Sequence, residues 1–370
     1  MKKFFIVFIF TSFCSCDSLI LDDNEDTITL ETNLSIPIQT NDGLTTDKPE
    51  NVGLDMARLE SFFKFINDES PNNQMRSLLI ARDNKLVVEA YFNGWNGKRT
   101  QDLRSATKSI TSALIGIGID QQIIPDENAK VLDFFKEYSS FDNWDERKAE
   151  FTFQDFLQMR TGLSCNDWIF TSPGNEEKMY ETQDWVKFTL DLPMNTEPGT
   201  AFSYCTGAPV TLGAALANAS EKSIPVFANE NLFSQLSITD FSWEFMPSGR
   251  ADTGGHLHLL PRDMLKIGLL FQNEGNWNGQ QIISKEWIAK STEPRGNAAG
   301  LGYGYFWWST NWNIEGQDIE AYFASGNGGQ LIFVIPQLNA SVVFTGGQYG
   351  ENWLPYRLNV METVVLPSFQ

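Results

Sequence analysis

Apolar and polar positions recur along this chain with two periods, that of helices and that of strands. Behind Asp55, the residues Met56, Leu59, Phe62, Phe63 and Ile66 recur at helical spacing, which predicts an amphipathic helix to Asp68 with Asp55 as its cap. Two β-type runs follow, Ser77 to Arg82 and Lys85 to Phe92, joined by Asp83-Asn84 and closed by Asn93-Gly94, the pattern of a hairpin. The run Ile110 to Ile119 predicts a long apolar helix ending near Gln121, ahead of Pro125. Residues 126–250 read as mostly helical. Predicted there are a helix from Val131 to Tyr138, a start at Thr152 with Asp155 in capping position, a stop at Gly162, and helices Trp185 to Leu190, Gly207 to Ala219 and Pro225 to Gln235. Pro261 opens a further helix to Phe271. From Gly302 the period shortens to that of strands: Tyr303 to Ser309, Ile319 to Ala324, Gln330 to Ile335 and Ser341 to Phe344, with a last helix from Pro355 to Val365. Early strands, a helical insert and late strands imply one sheet built from both ends of the chain.

Length and charge narrow the picture. The 370 residues suffice for one large core or two lobes, and the net charge of −20 argues against a nucleic-acid partner, which needs clustered Lys and Arg. Lys2 and Lys3 precede an apolar run from Phe4 to Phe13. That run is well short of the roughly 20 residues that span a bilayer, so it reads as a secretory signal. Its end, Phe13-Cys14-Ser15-Cys16-Asp17, resembles a lipoprotein processing site, with residues 1–16 as the signal and Cys16 as the lipidated residue. Residues 17–50 hold nine acidic residues against Lys48 alone and read as a solvated tether, leaving 51–370 as the folded domain. The expected location is the cell envelope, with the chain held to a membrane by its N-terminal lipid.

The chemistry centres on Ser105-Ala-Thr-Lys108, at the head of the apolar helix. Residues three apart sit one above the other on a helical turn. A serine hydroxyl is a poor nucleophile until a neighbour takes its proton, and a lysine in a dry pocket can do so or help another group do so. The helix start also offers unpaired backbone N–H groups to an oxyanion. A second copy, Ser61-Phe-Phe-Lys64, lies mid-helix on the Asp55 helix and reads as surface. Tyr204, on a loop after Pro198-Gly199, supplies a phenol that an adjacent ammonium would shift to lower pKa for proton transfer. Tyr91-Phe92-Asn93 reads as a turn. Ser325-Gly-Asn-Gly-Gly-Gln330 opens a strand at which glycines let substrate approach the backbone, and the Gln330 N–H could join that of Ser105 in an oxyanion hole.

In that order Ser105-x-x-Lys108, Tyr204-x-Thr206 and Gly328-Gly329-Gln330 resemble the serine β-lactamase and penicillin-binding-protein superfamily. They are most similar to its class C-related branch of carboxylesterases, D-aminopeptidases and 6-aminohexanoate-oligomer hydrolases. Arg160-Thr-Gly-Leu163, Pro198-Gly-Thr-Ala-Phe-Ser-Tyr204, Leu260-Pro-Arg-Asp-Met-Leu-Lys266 and Gly302-Tyr-Gly-Tyr305 support it, over about residues 52–365. The resemblance implies an α+β fold. An antiparallel sheet is flanked by N- and C-terminal helices (about 51–121 and 251–370), with an inserted mostly helical lobe (about 122–250) and the site between them. It implies an acyl-Ser105 hydrolase of a small ester, amide or peptide, with Lys108 and Tyr204 as proton-transfer groups. Ser105, Gln330, Gly329, Thr206, Asn327 and Trp168 would be at the oxyanion or substrate, with no cofactor. The family's usual Asn is here Thr206 and its usual Lys-Thr-Gly is Asn327-Gly328-Gly329. Both changes weaken the case for β-lactams unless another cation, Arg262 or Arg295, stands in. The rival readings are a β-lactamase or D-peptidase acting on cell-wall peptides, and a non-catalytic sensor of the same fold. His256-x-His258 lacks the partners of a metal set and reads as structural. Tyr303, Tyr305, Trp307 and Trp308 read as core. In an exported chain Cys165 and Cys205 can form a bridge or stay as two buried thiols.

Overall fold

The computed structural model describes residues 36–68, 74–350 and 353–369; the expected signal, Cys16 and the expected tether as far as residue 35 lie outside them. The Asp55 helix is α1 (Met56–Asp68), with the Asp55 carboxylate accepting the Ala57 N–H at 3.0 Å. Strands β1 (Met75–Arg82) and β2 (Lys85–Tyr91) form the expected hairpin. Its two turn residues, Asp83 and Asn84, have φ of 52° and 60°, the left-handed pair whose twist matches that of the strands it joins. The apolar run makes α2 (Thr107–Asp120), buried along nearly its whole length.

The insert contributes short helices and one long one, α3 (Gly207–Ser220), which packs on α2. At Phe153–Leu157 the Thr152–Asp155 capping box closes in both directions. Val131 to Tyr138 gives a single 3₁₀ turn, Val131–Phe134, instead of a helix. So short a run does not offset the cost of helix nucleation, and its aromatic rings pack where the irregular chain puts them. Helices Glu176–Tyr180 and Lys285–Thr292 were not anticipated. The second carries a legible signal in Ser284, whose hydroxyl accepts the Trp287 N–H.

After α4 (Pro261–Gln272) come β3 (Trp308–Ile314), β4 (Gln317–Gly326), β5 (Gln330–Ile335) and β6 (Ala340–Gly346), then α5 (Trp353–Val360). The order across the sheet is β2-β1-β6-β5-β4-β3, all antiparallel, so the last strand pairs with the first as the pattern implied. Thr45–Thr46 extends the sheet parallel to β2, and Leu301–Tyr303 extends it beyond β3. The strand expected over Tyr303 to Ser309 is therefore two strands. Between them the chain leaves the sheet at Gly304–Trp307, where Tyr305 N–H goes to Ser291, Phe306 N–H to Leu157, and Phe306 C=O accepts from Ser109. These tertiary bonds hold Phe306 at φ 61°.

α4 covers one face of the sheet against β5 and β6, and α1 lies against the C-terminal turns at Met361–Ser368. The architecture is the α+β fold expected, and its described residues belong to one compact body. That body begins earlier than the sequence pattern implied. Residues 36–50, read as tether, are held by Arg262, which donates to the Ile38 carbonyl at 2.8 Å, Thr40 Oγ1 at 2.8 Å and Asp42 at 2.9 Å.

Candidate active site

Ser105 stands in a 3₁₀ turn, Arg104–Ala106, that runs into α2. The turn is pressed against the end of β4. A Cβ at Gly326 would collide with the Leu103 carbonyl, so a glycine is required for the strand to lie so close to the serine. Arg104, immediately before the serine, has φ 49°. Asp102 holds it there, accepting the Arg104 N–H at 2.9 Å and facing its guanidinium at 3.4 Å.

Lys108 lies one helical turn on and is buried. Its Nζ donates to Ser105 Oγ at 3.0 Å and to the Gly254 carbonyl at 2.6 Å, and sits 5.2 Å from the centre of the Tyr204 ring. Gly254 is fixed by Asp252, whose Oδ1 accepts the Gly254 and Gly255 N–H groups at 2.9 and 3.0 Å. A Cβ at Gly254 would meet Thr206 Cγ2 at 2.6 Å, so a side chain there would push the carbonyl away from Lys108. Tyr204 is buried and hydrogen-bonded to Ser105. The expected lowering of its pKa is not found. Burial pushes the phenol up, and the Lys108 charge and the Ser105 hydrogen bond only partly oppose it. Tyr204 is therefore a neutral phenol at pH 7, able to give a proton.

The loop before α3 is clamped at this tyrosine. Cys165 and Cys205 form a disulfide. On either side of it the Asp167 N–H donates to the Tyr204 carbonyl at 2.9 Å and the Thr206 N–H donates to Asp167 Oδ2 at 2.6 Å. The Asp167 carboxyl is raised to about 6, by burial first and then by Glu176, with Lys108 and Thr206 opposing. Trp168 stacks on Tyr204, centroids 5.4 Å apart and planes 7° apart.

Other expected site residues are placed differently. Thr206 is buried and its hydroxyl donates to Glu176 at 2.9 Å, so it faces that carboxylate and not a substrate. Asn327 Oδ1 accepts from Gly350 N–H and Trp353 Nε1, both at 3.2 Å. The Gln330 side chain is turned to Gly346, donating to its carbonyl at 2.6 Å and accepting its N–H at 3.4 Å. Gly329, at φ 95°, lies over Arg357, a buried guanidinium whose three nitrogens have no hydrogen-bond partner among the described residues. Neither arginine considered as a replacement cation is free for that role. Arg262 is paired with Glu89 and Asp42, and Arg295 with Glu293. His256 bonds Asp102 at 3.1 Å, and His258 approaches Glu244 at 3.4 Å. Tyr303, Tyr305, Trp307 and Trp308 are buried as core, Trp308 lying 6.0 Å from Tyr204. Ser61 bonds the Ala57 carbonyl within α1, as a surface helix residue would. Asp167, Glu176, Asp252 and Asp102 were not singled out from sequence. Asp167 and Glu176 reach Thr206 across a long chain separation, while Asp102 and Asp252 close local turns on Arg104 and on Gly254 and Gly255, a pattern common to turns that does not by itself mark a site.

A family model described as Beta-lactamase matches residues 74–352. The chain belongs to the Beta-lactamase family. The matched segment contains Ser105, Lys108, Tyr204 and the Cys165–Cys205 disulfide. Among solved structures, this family member is similar to a penicillin-binding protein homolog from Caulobacter crescentus, at 15% identity, TM-score 0.65, covering 86% of this chain and 98% of that one. It is also similar to a family VIII carboxylesterase, at 16% identity, TM-score 0.65, covering 88% and 98%. A D-stereospecific amidohydrolase from Streptomyces sp. matches at 12% identity, TM-score 0.63, covering 83% and 98%. At these identities the likeness is one of fold. No curated protein matches the chain.

Proposed function

We propose that this member of the Beta-lactamase family is an exported serine hydrolase that cleaves esters or small amides through an acyl-Ser105 intermediate. The observation that carries the reading is the buried Lys108 Nζ bonded to Ser105 Oγ at 3.0 Å, with the Tyr204 phenol on the same hydroxyl. In the reactive state the Lys108–Tyr204 pair holds one proton fewer than an ammonium and a phenol together, and Ser105 Oγ bonds the substrate carbonyl carbon as its proton fills that place. The tetrahedral oxyanion lies against the Ser105 and Gln330 N–H groups. The carbon–leaving-group bond then breaks as the pair returns the proton to the leaving atom. Water repeats the exchange in reverse, releasing the acid and restoring the serine hydroxyl. The two proton carriers titrate as a pair, so the relay is assigned to both together. A lipid on Cys16 would hold the enzyme at the envelope.

Ester and amide substrates are favoured over β-lactams by the third motif. Asn327 is engaged by Gly350 and Trp353, and Arg262 and Arg295 are engaged by other carboxylates. None of these three side chains therefore offers a carboxylate-bearing lactam the charge-assisted hydrogen bond worth roughly twice a neutral one. The test is a hydrolysis comparison of a short p-nitrophenyl ester, a small amide and a chromogenic cephalosporin. The ester or amide should turn over fastest, and Lys108→Met should lower kcat by about 10²–10⁴. Faster turnover of the cephalosporin would overturn the substrate assignment.

A further inference from the structure

The loop that clamps Tyr204 ends in three consecutive large apolar residues that face solvent. Trp168 is 55% exposed, Ile169 52% and Phe170 75%. Scattered exposed apolar residues are ordinary, but a contiguous run on a rigid support is not. This support is rigid. The disulfide fixes Cys165, Asn166 Oδ1 accepts the Trp168 N–H at 2.9 Å, and Asn175 Nδ2 donates to the Asp167 and Ile169 carbonyls at 3.0 and 3.4 Å. A loop free to rearrange would fold such side chains inward; this one holds them out.

The run is continuous with the reacting groups. Trp168 lies parallel to Tyr204 and 6.0 Å from Phe202, whose ring in turn meets Tyr303 at 5.2 Å. An apolar wall therefore leads from the proton-transfer phenol outward through Trp168 to Ile169 and Phe170. The wall begins at Tyr204, so its occupant is the molecule that reacts there.

Resting on the proposed Ser105 hydrolysis, we propose that Trp168, Ile169 and Phe170 form a subsite for an extended apolar chain, and that the enzyme prefers esters or amides bearing medium-length acyl or aryl groups over acetyl-sized ones. Each methylene laid on this wall raises kcat/KM by about two- to fourfold until the chain passes Phe170.

The experiment is a p-nitrophenyl ester series of increasing acyl length, run on the full chain, on Ile169→Ser/Phe170→Ser, and on Val226→Ser. Val226 is also an exposed apolar residue, on the separate helix Ile224–Ala228. The expected result is a kcat/KM that climbs with chain length in the parent and in Val226→Ser. The ratio of octanoate to acetate should fall about tenfold or more in the double variant. A ratio near one in the parent, or one unchanged by the double variant, overturns the subsite. So does a loss confined to binding of uncharged phospholipid vesicles, which would make the loop a membrane contact. If no ester of any length is cleaved above the Ser105→Ala background, it is the hydrolase reading that has failed.

Discussion

At the residue scale, burial shifts two groups that interact electrostatically with Lys108. Tyr204 and Asp167 are both shifted up, and burial is the first cause for each. Asp167 titrates near 6 when folded against 3.8 as the reference. The folded state therefore binds the extra proton between those values, and what this carboxyl contributes to stability is present at low pH and lost as pH rises through about 6. Asp167→Asn does not titrate. Its melting temperature relative to the parent should accordingly climb from pH 4 to pH 7 and level off above. A difference that is flat over that window, followed by thermal melts, would refute the assignment. The Ser105–Lys108 contact was legible because residues three apart meet on one helical turn. The contacts of Asp167 and Glu176 with Thr206 were not, since tertiary packing fixes them, and the Asp252 turn at Gly254 and Gly255 looks like any other until Lys108 is placed against it.

At the element scale, the segment Cys165–Asp167 and the segment Tyr204–Thr206 are joined by a disulfide and two hydrogen bonds. The cysteines are 40 residues apart, so opening the bridge restores substantial freedom to the unfolded chain. Cys165→Ser/Cys205→Ser should lose about 2–4 kcal/mol of stability. It should also lower kcat more than it raises KM, because Tyr204 loses a constraint on its backbone. Denaturant melts and steady-state kinetics on a short ester read both. Unchanged kcat would limit the bridge to a structural role. The elements themselves were legible where the period was long and the ends were marked, as in α1, α2, α4 and the β1–β2 hairpin. They were missed where tertiary bonds replaced local preference, at Gly304–Trp307 and in the single turn at Val131–Phe134.

At the scale of the whole molecule, the sheet closes N-terminal strands against C-terminal ones, which the order of β-type runs already implied. The start of the folded body was less legible, because the acidic composition of residues 17–50 looks uniform. The difference lies in Arg262, whose guanidinium reaches the Ile38 carbonyl and Asp42, and in Thr45–Thr46, which covers the β2 edge. A chain beginning at residue 51 should therefore melt several degrees below one beginning at residue 36, and aggregate more readily through the bared strand. Equal melting temperatures would return residues 36–50 to the tether.

Ser105 is the residue on which the proposed mechanism depends most directly. After incubation with a small neutral fluorophosphonate, intact-mass analysis and peptide mapping should find one adduct, on Ser105, and none in Ser105→Ala. An adduct of equal yield in Ser105→Ala would contradict the assignment of Ser105 as the nucleophile.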